Sequence, residues 1–153
     1  MDQTEIHAGG CLCGAARYRT HGQPAKAALC HCRYCQARSG SAFGLAIYFK
    51  TEQVELLSGS LKSYEFQTES GRSFTTRFCP ECGTTLFWNT AAGADLTGVA
   101  GGSFDPPTFW YDIKREVFTR SSAPFLHTDI ADKSETSSSY APVQADPLAL
   151  NGA

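Results

Sequence analysis

From Gly10 to about Ser122 the apolar positions fall in short runs separated by glycine and polar turns, and no apolar stripe of helical period lasts about 12 residues. That rhythm predicts an all-β fold. Strands are expected at 15–19, 42–49, 54–58, 61–67, 73–78, 85–89, 96–100 and 117–120. Glu69-Ser70-Gly71-Arg72 and Ser58-Gly59-Ser60 carry turn-forming residues and are expected to join neighbouring strands as hairpins. Cys32 to Gly40 fits a short helical turn or an irregular knuckle.

After about residue 130 the pattern fades. Lys133 to Tyr140 is dominated by serine and threonine, and Pro142, Pro147 and Gly152 follow, so little there can bury a core. The expected organisation is one domain over residues 1–130 and a tail over 131–153, flexible or draped on the surface. With 153 residues, 42% of them hydrophobic and 12% aromatic, the chain has material for one core. It contains no long apolar run, and Met1 to Gly10 carries charge and glycine where a secretory signal needs an apolar segment, so a cytosolic protein is expected.

Seven cysteines change the picture from packing to chemistry. Seven is odd, and Cys11 with Cys13 and Cys30 with Cys32 sit too close in sequence to bridge comfortably. Cys11-Leu12-Cys13-Gly14 and Cys79-Pro80-Glu81-Cys82-Gly83 are ligand pairs, each followed by a glycine that lets the chain turn around a metal. Four thiolates from these two segments predict a closed tetrahedral zinc site that staples the N-terminal region to a hairpin near residue 80.

Cys30-His31-Cys32-Arg33-Tyr34-Cys35 supplies three more sulfurs, one short of a closed zinc shell. Either the fourth position stays open, or His31 or an outside carboxylate closes it, or one of the cysteines only packs. His31 is expected beside the site, not as a ligand. In the open arrangement a small thiol can enter, become a thiolate near neutral pH and meet an electrophile, which makes Cys30, Cys32 and Cys35 the candidate catalytic centre.

Charge limits the partners. The formal net charge is -2, and two zinc ions with seven thiolates, adding +4 and -7, take the loaded chain to about -5. Neither nucleic acid nor a membrane surface is favoured as a partner.

Beyond the residues themselves, the sequence resembles the glutathione-dependent formaldehyde-activating enzyme (GFA) family, which includes the domain of centromere protein V. The likeness rests on His7-x-Gly-Gly-Cys11-x-Cys13-Gly, Cys30-His-Cys32-x-x-Cys35 with Arg38-Ser-Gly-Ser-Ala-Phe43, Phe78-Cys79-Pro-x-Cys82-Gly-Thr-x-Leu-Phe-Trp88, Gly102-Ser-Phe-Asp105, and Phe118-Thr-Arg-Ser-x-Ala-Pro124. It spans about residues 6–127. It implies a β-rich, Mss4-like (β-tent) fold with two zinc ions: a structural one on Cys11, Cys13, Cys79 and Cys82, and a second, partly occupied one on Cys30, Cys32 and Cys35 at the glutathione and formaldehyde site. The implied activity is S-(hydroxymethyl)glutathione formation, a carbon–sulfur lyase reaction read in reverse. Phe125 stands where the family usually has tryptophan, and the serine-rich tail has no evident counterpart.

Glutathione carries two carboxylates, so Arg33 and Arg38, with Ser39, are candidate binding residues near the open site. The arginines equally serve to offset the thiolate charge. Most of the aromatics are expected in the core, with Trp110 or Tyr111 as candidates for a pocket wall and Asp105 as a loop holder bonding backbone amides. The alternative to an enzyme is a binding module in which both zinc ions are structural.

Overall fold

The computed structural model describes residues 5–143. In chain order its strands are β1 (Ile6–Gly10), β2 (Arg17–His21), β3 (Lys26–Cys30), β4 (Gly44–Lys50), β5 (Val54–Ser58), β6 (Lys62–Gln67), β7 (Ser73–Phe78), β8 (Thr85–Thr90), β9 (Leu96–Ala100), β10 (Arg115–Val117) and β11 (Asp132–Lys133). Among the described residues a single α-helix, α1 (Arg33–Ser39), of seven residues, follows β3. The fold is β-rich, as the rhythm of the sequence predicts.

The strands form a three-stranded sheet, β1-β2-β5, and an eight-stranded sheet, β11-β10-β3-β4-β9-β8-β7-β6. Pairing is antiparallel from β3 through β6, whereas β10 runs parallel to β3 and β11 parallel to β10. Tyr18, Ile47, Phe49, Leu86 and Val99 are fully buried in one core. The Tyr18 ring meets Phe87 and Phe104 edge-on, with centroids 5.1 and 5.6 Å away, and its hydroxyl lies 2.7 Å from Ser103 Oγ. Burying these rings is the main source of stability, at about 25 cal/mol per Å² of apolar surface removed from water.

Several expectations are corrected. Ser58-Gly59-Ser60 does not close a hairpin, because β5 belongs to the small sheet and β6 to the edge of the large one. The strand expected at 117–120 is instead the end of β10: Phe118 turns into the left-handed region, with φ of 56°, and a 3-10 turn follows over Thr119–Ser121. β1 and β3 were not expected. After its first residue, Ile6-His-Ala-Gly-Gly lacks the β-branched and large aromatic residues of a typical strand, and Gly9 is there because a Cβ would come within 2.4 Å of the Tyr18 ring. Lys26-Ala-Ala-Leu-Cys has weak strand propensity and is held by partners on both sides, β10 and β4.

Tyr111 is buried in the core and Trp110 packs against it, stacked on His7 at 3.4 Å, and neither lines the cleft at Cys30, Cys32 and Cys35. Asp105 holds its loop through a two-pronged ion pair with the Arg17 guanidinium rather than through backbone amides.

Candidate metal centres and the cleft between the sheet ends

Two cysteine turns of the same design build the first cluster. In each, the first cysteine's N–H donates to a carbonyl five residues on (Cys11 to Ala16 at 3.0 Å, Cys79 to Thr84 at 2.9 Å). In each, a glycine in the left-handed region returns its N–H to the first cysteine's carbonyl: Gly14 with φ of 79° at 3.0 Å, Gly83 with φ of 78° at 2.8 Å. Only glycine adopts that conformation without cost, so the two glycines set the turn that gathers the sulfurs.

The four sulfurs lie within 4.8 Å of one another, with Cys11 and Cys13 3.6 Å apart and Cys13 and Cys79 3.7 Å apart. A tetrahedron of zinc–sulfur bonds about 2.3 Å long has edges of about 3.8 Å, so the spacing suits zinc. Donors are arranged for thiolates. The Ala16 N–H reaches Cys11 Sγ at 3.2 Å, and the Thr84 hydroxyl lies 3.2 Å from Cys82 Sγ while accepting the Leu12 N–H at 3.1 Å. Hydrogen bonds from the Thr84 hydroxyl and amide hold the Cys82 thiol down to about 5.

Cys30, Cys32 and Cys35 form the second cluster, again with all sulfurs within 4.8 Å. Cys30 ends β3 between Gly44 of β4 and Val117 of β10. Cys32 caps α1, its sulfur accepting the Cys35 N–H at 3.3 Å, and Cys35 sits in the first turn. The Cys35 thiol lies well below the ordinary thiol range, first because Cys30 and Cys32 donate hydrogen bonds to it and then because Arg38 is close. Cys30 is pushed well up by the same contacts with Cys32 and Cys35. Three sulfurs in such contact hold a single negative charge easily and three only around a cation, so this donor set too fits a thiophilic metal. Among the described residues, no fourth histidine, cysteine, aspartate or glutamate atom joins the group.

His31 is fully buried, and its Nε2 lies 2.6 Å from Glu116 Oε1. Glu116 also accepts from the Thr128 hydroxyl, and Lys133 Nζ lies 3.6 Å from its Oε2. His31 therefore braces the Cys30–Cys32 loop from behind against β10.

The two clusters differ in what they face. All three cysteines of the second line a cleft of about 680 Å³, and none of the first four does. Tyr48, Trp88 and Phe74 form its apolar wall, and Lys26, Arg72, Lys114 and Arg115 contribute cations. Of the residues singled out in the sequence, Arg38 lies against Cys35 with its guanidinium carbon 3.9 Å over the Trp88 ring. Arg33 is exposed and donates to Gln36 at 2.6 Å. The Ser39 hydroxyl donates to the Cys35 and Phe43 carbonyls. None of these three lines the cleft. The four cleft cations went unnoticed in the sequence because they come from three separate segments, outside any motif.

A β-rich fold that gathers seven cysteines into two clusters able to hold metal ions, one of them facing a cleft, is of the GFA/Mss4-like type. Residues 6–121 match the family described as glutathione-dependent formaldehyde-activating enzyme, and the chain belongs to that family. Among solved structures, the chain is similar to a Rhodobacter sphaeroides protein from a structural genomics programme, at 20% identity over 69% of this chain and 96% of that one, with a TM-score of 0.51. That likeness shows a shared fold. No curated protein matches the chain.

Proposed function

We propose that the chain is a zinc-dependent enzyme joining a small thiol to an aldehyde, with glutathione and formaldehyde giving S-(hydroxymethyl)glutathione as the family's description suggests. One observation carries this reading: the cluster with three donors faces the cleft and the cluster with four does not. Cys11, Cys13, Cys79 and Cys82 hold a structural zinc, and Cys30, Cys32 and Cys35 hold the second. When bound there, a zinc ion supplies a position at which an incoming thiol loses its proton more readily.

The chain's own residues do the rest. Lys26, Arg72, Lys114 and Arg115 draw in a carboxylate-bearing thiol. Tyr48 and Trp88, joined by a 3.0 Å hydrogen bond from Nε1 to the hydroxyl, keep the wall beside the sulfurs apolar. The reaction forms one sulfur–carbon bond, converts the carbonyl π bond into a hydroxyl group and moves the thiol proton to that oxygen, with no net redox change. Seven free thiols suit a reducing compartment, and we place the protein in the cytoplasm. A binding module with two structural zinc ions would have no use for three donors opening onto a cleft.

Titrating the cobalt-substituted protein with glutathione tests the reading. Thiol entry is expected to change the sulfur-to-cobalt absorption and to be lost in Cys35→Ser; an unchanged spectrum at saturating thiol, together with no turnover of formaldehyde, refutes it.

A further inference from the structure

The family match ends at residue 121, but the chain returns to the cleft after that point. β11 pairs with β10, and the next residues stay fastened to it: Ser134 N–H donates to the Glu116 carbonyl at 3.0 Å and Thr119 N–H to the Ser134 carbonyl at 3.1 Å. The chain then crosses to the opposite end of the eight-stranded sheet. There Arg72 Nη1 donates to the Ser139 carbonyl, Ala141 N–H to Ser70 Oγ at 3.1 Å, and Val143 N–H to the Glu69 carbonyl at 2.8 Å. Residues 69–72 are the turn between β6 and β7, the far edge of the sheet.

Midway, Tyr140 is anchored. Its ring stands edge-on to Phe118 with centroids 5.6 Å apart, the Arg120 guanidinium carbon sits 4.9 Å from its centre, and Arg120 Nη2 donates to its hydroxyl at 3.0 Å. Phe118 packs in the same apolar cluster as Cys30 and Cys32. A strap tied at both sheet edges and pinned beside the second cluster turns an open groove into a walled cleft. Ser137, Ser138, Ser139 and Tyr140 all face that cleft.

We propose that residues 134–143 are a fixed wall of the substrate site, setting the size of the molecule that reaches Cys30, Cys32 and Cys35. This deepens the thiol reading and rests on it for the identity of the substrate. Small thiols pass the wall freely, whereas a tripeptide thiol must fit along it.

The test uses the full chain and two variants: Ser138→Trp, at an exposed cleft position, narrows the opening, and Tyr140→Ala loosens the strap. With one equivalent of zinc to close the four-cysteine site, alkylation of the second cluster is followed by mass spectrometry using iodoacetamide and a bulky fluorescein maleimide. Ser138→Trp is expected to slow the maleimide about tenfold while leaving iodoacetamide within about twofold, and Tyr140→Ala to speed the maleimide at least about threefold. In the cobalt-loaded protein, Ser138→Trp is expected to weaken glutathione about tenfold relative to cysteine. Equal effects on both reagents, or none, overturn the proposal. If no thiol perturbs the cobalt spectrum of the parent protein, the thiol reading falls, and the alkylation rates still decide whether the strap is a wall.

Discussion

Gly44 stands directly against Cys35: a Cβ at position 44 would lie 3.1 Å from Cys35 Cβ, 3.4 Å from its Sγ and 2.8 Å from Arg38 Nη2. Gly44 pairs with Cys30 across β3 and β4, so the same residue touches two members of the three-sulfur cluster and the cation beside it. Its backbone lies in an ordinary strand conformation, and the demand on it is purely spatial. Gly44→Ala is expected to push Arg38 off Trp88 and spread the sulfurs. Metal affinity at the second site should fall about 10–100-fold, the range seen when the surroundings of a metal ligand are disturbed. Metal analysis after dialysis should find about one zinc per chain instead of two, the four-cysteine site being untouched.

The two clusters should also separate in what their loss costs. Cys79 is 1% exposed and ties β7 to the N-terminal turn, and folding around a structural zinc carries an apparent binding energy of about 10–16 kcal/mol. Cys79→Ser is therefore expected to leave a chain without a cooperative thermal transition. Cys32 caps a single short helix at the cleft, so Cys32→Ser should lower Tm by only a few degrees while abolishing thiol-dependent turnover. Comparable loss of stability in the two variants would show that both sites are structural.

The local chemistry of both clusters was legible in the sequence because each ligand set is written as a tight turn: two cysteines with a glycine behind them, or three cysteines around a helix start. The edges of the fold were not. β1 ends in two glycines and β3 carries two alanines at its centre, so neither has much strand propensity of its own, and each is held by its neighbours, β1 against β2 and β3 between β10 and β4. Serine-rich composition suggested a flexible or draped tail, and in the described residues a single aromatic, Tyr140, and a few backbone hydrogen bonds carry the chain across the cleft. The tail beyond residue 143 lies outside the described residues. Arg33 and Arg38 drew attention by proximity in sequence, whereas the cations at the cleft come from β3, the β6–β7 turn and the start of β10.

Glu116 is 5% exposed and serves His31, Thr128 and Lys133 at once. Removing the carboxylate strands a buried imidazole whose Nδ1 already has no hydrogen-bond partner. Glu116→Ala is expected to cost about 3 kcal/mol, and at about 2–4 °C per kcal/mol for a chain of this size Tm should drop by roughly 6–12 °C. Glu116→Gln keeps an acceptor at the same place and should cost less. Calorimetry of the zinc-loaded variants checks the order.

The Arg17–Asp105 pair contributes modestly, because both side chains are more than a third exposed (37% and 46%). The guanidinium beside it holds the Asp105 carboxyl below its ordinary value. A group with a depressed folded value stabilises above its unfolded value, about 3.9 for aspartate, and loses that contribution only as pH falls through the lower folded value. Asp105→Asn is thus expected to cost at most about 1 kcal/mol, and by the same amount at every pH from about 5 to 8. A cost that grows or shrinks across that window would assign the effect to another group.

Charge at the cleft mouth offers the most direct reading of substrate class. Arg115 is engaged by Asp132 at 3.0 Å and Arg72 by the Ser139 carbonyl, whereas Lys26 and Lys114 make no ion pair among the described residues. Their ammonium groups act on an incoming ligand through solvent, which makes their influence strong at low salt and weak beyond a Debye length of about 8 Å at physiological ionic strength. Lys114→Glu should weaken glutathione several-fold more than it weakens 2-mercaptoethanol, which has no carboxylate, and about 0.5 M salt should erase most of that difference. Equal weakening of both thiols would mean that the variant had disturbed the three-sulfur cluster itself, and the cobalt spectrum of the thiol-free variant would report that change independently.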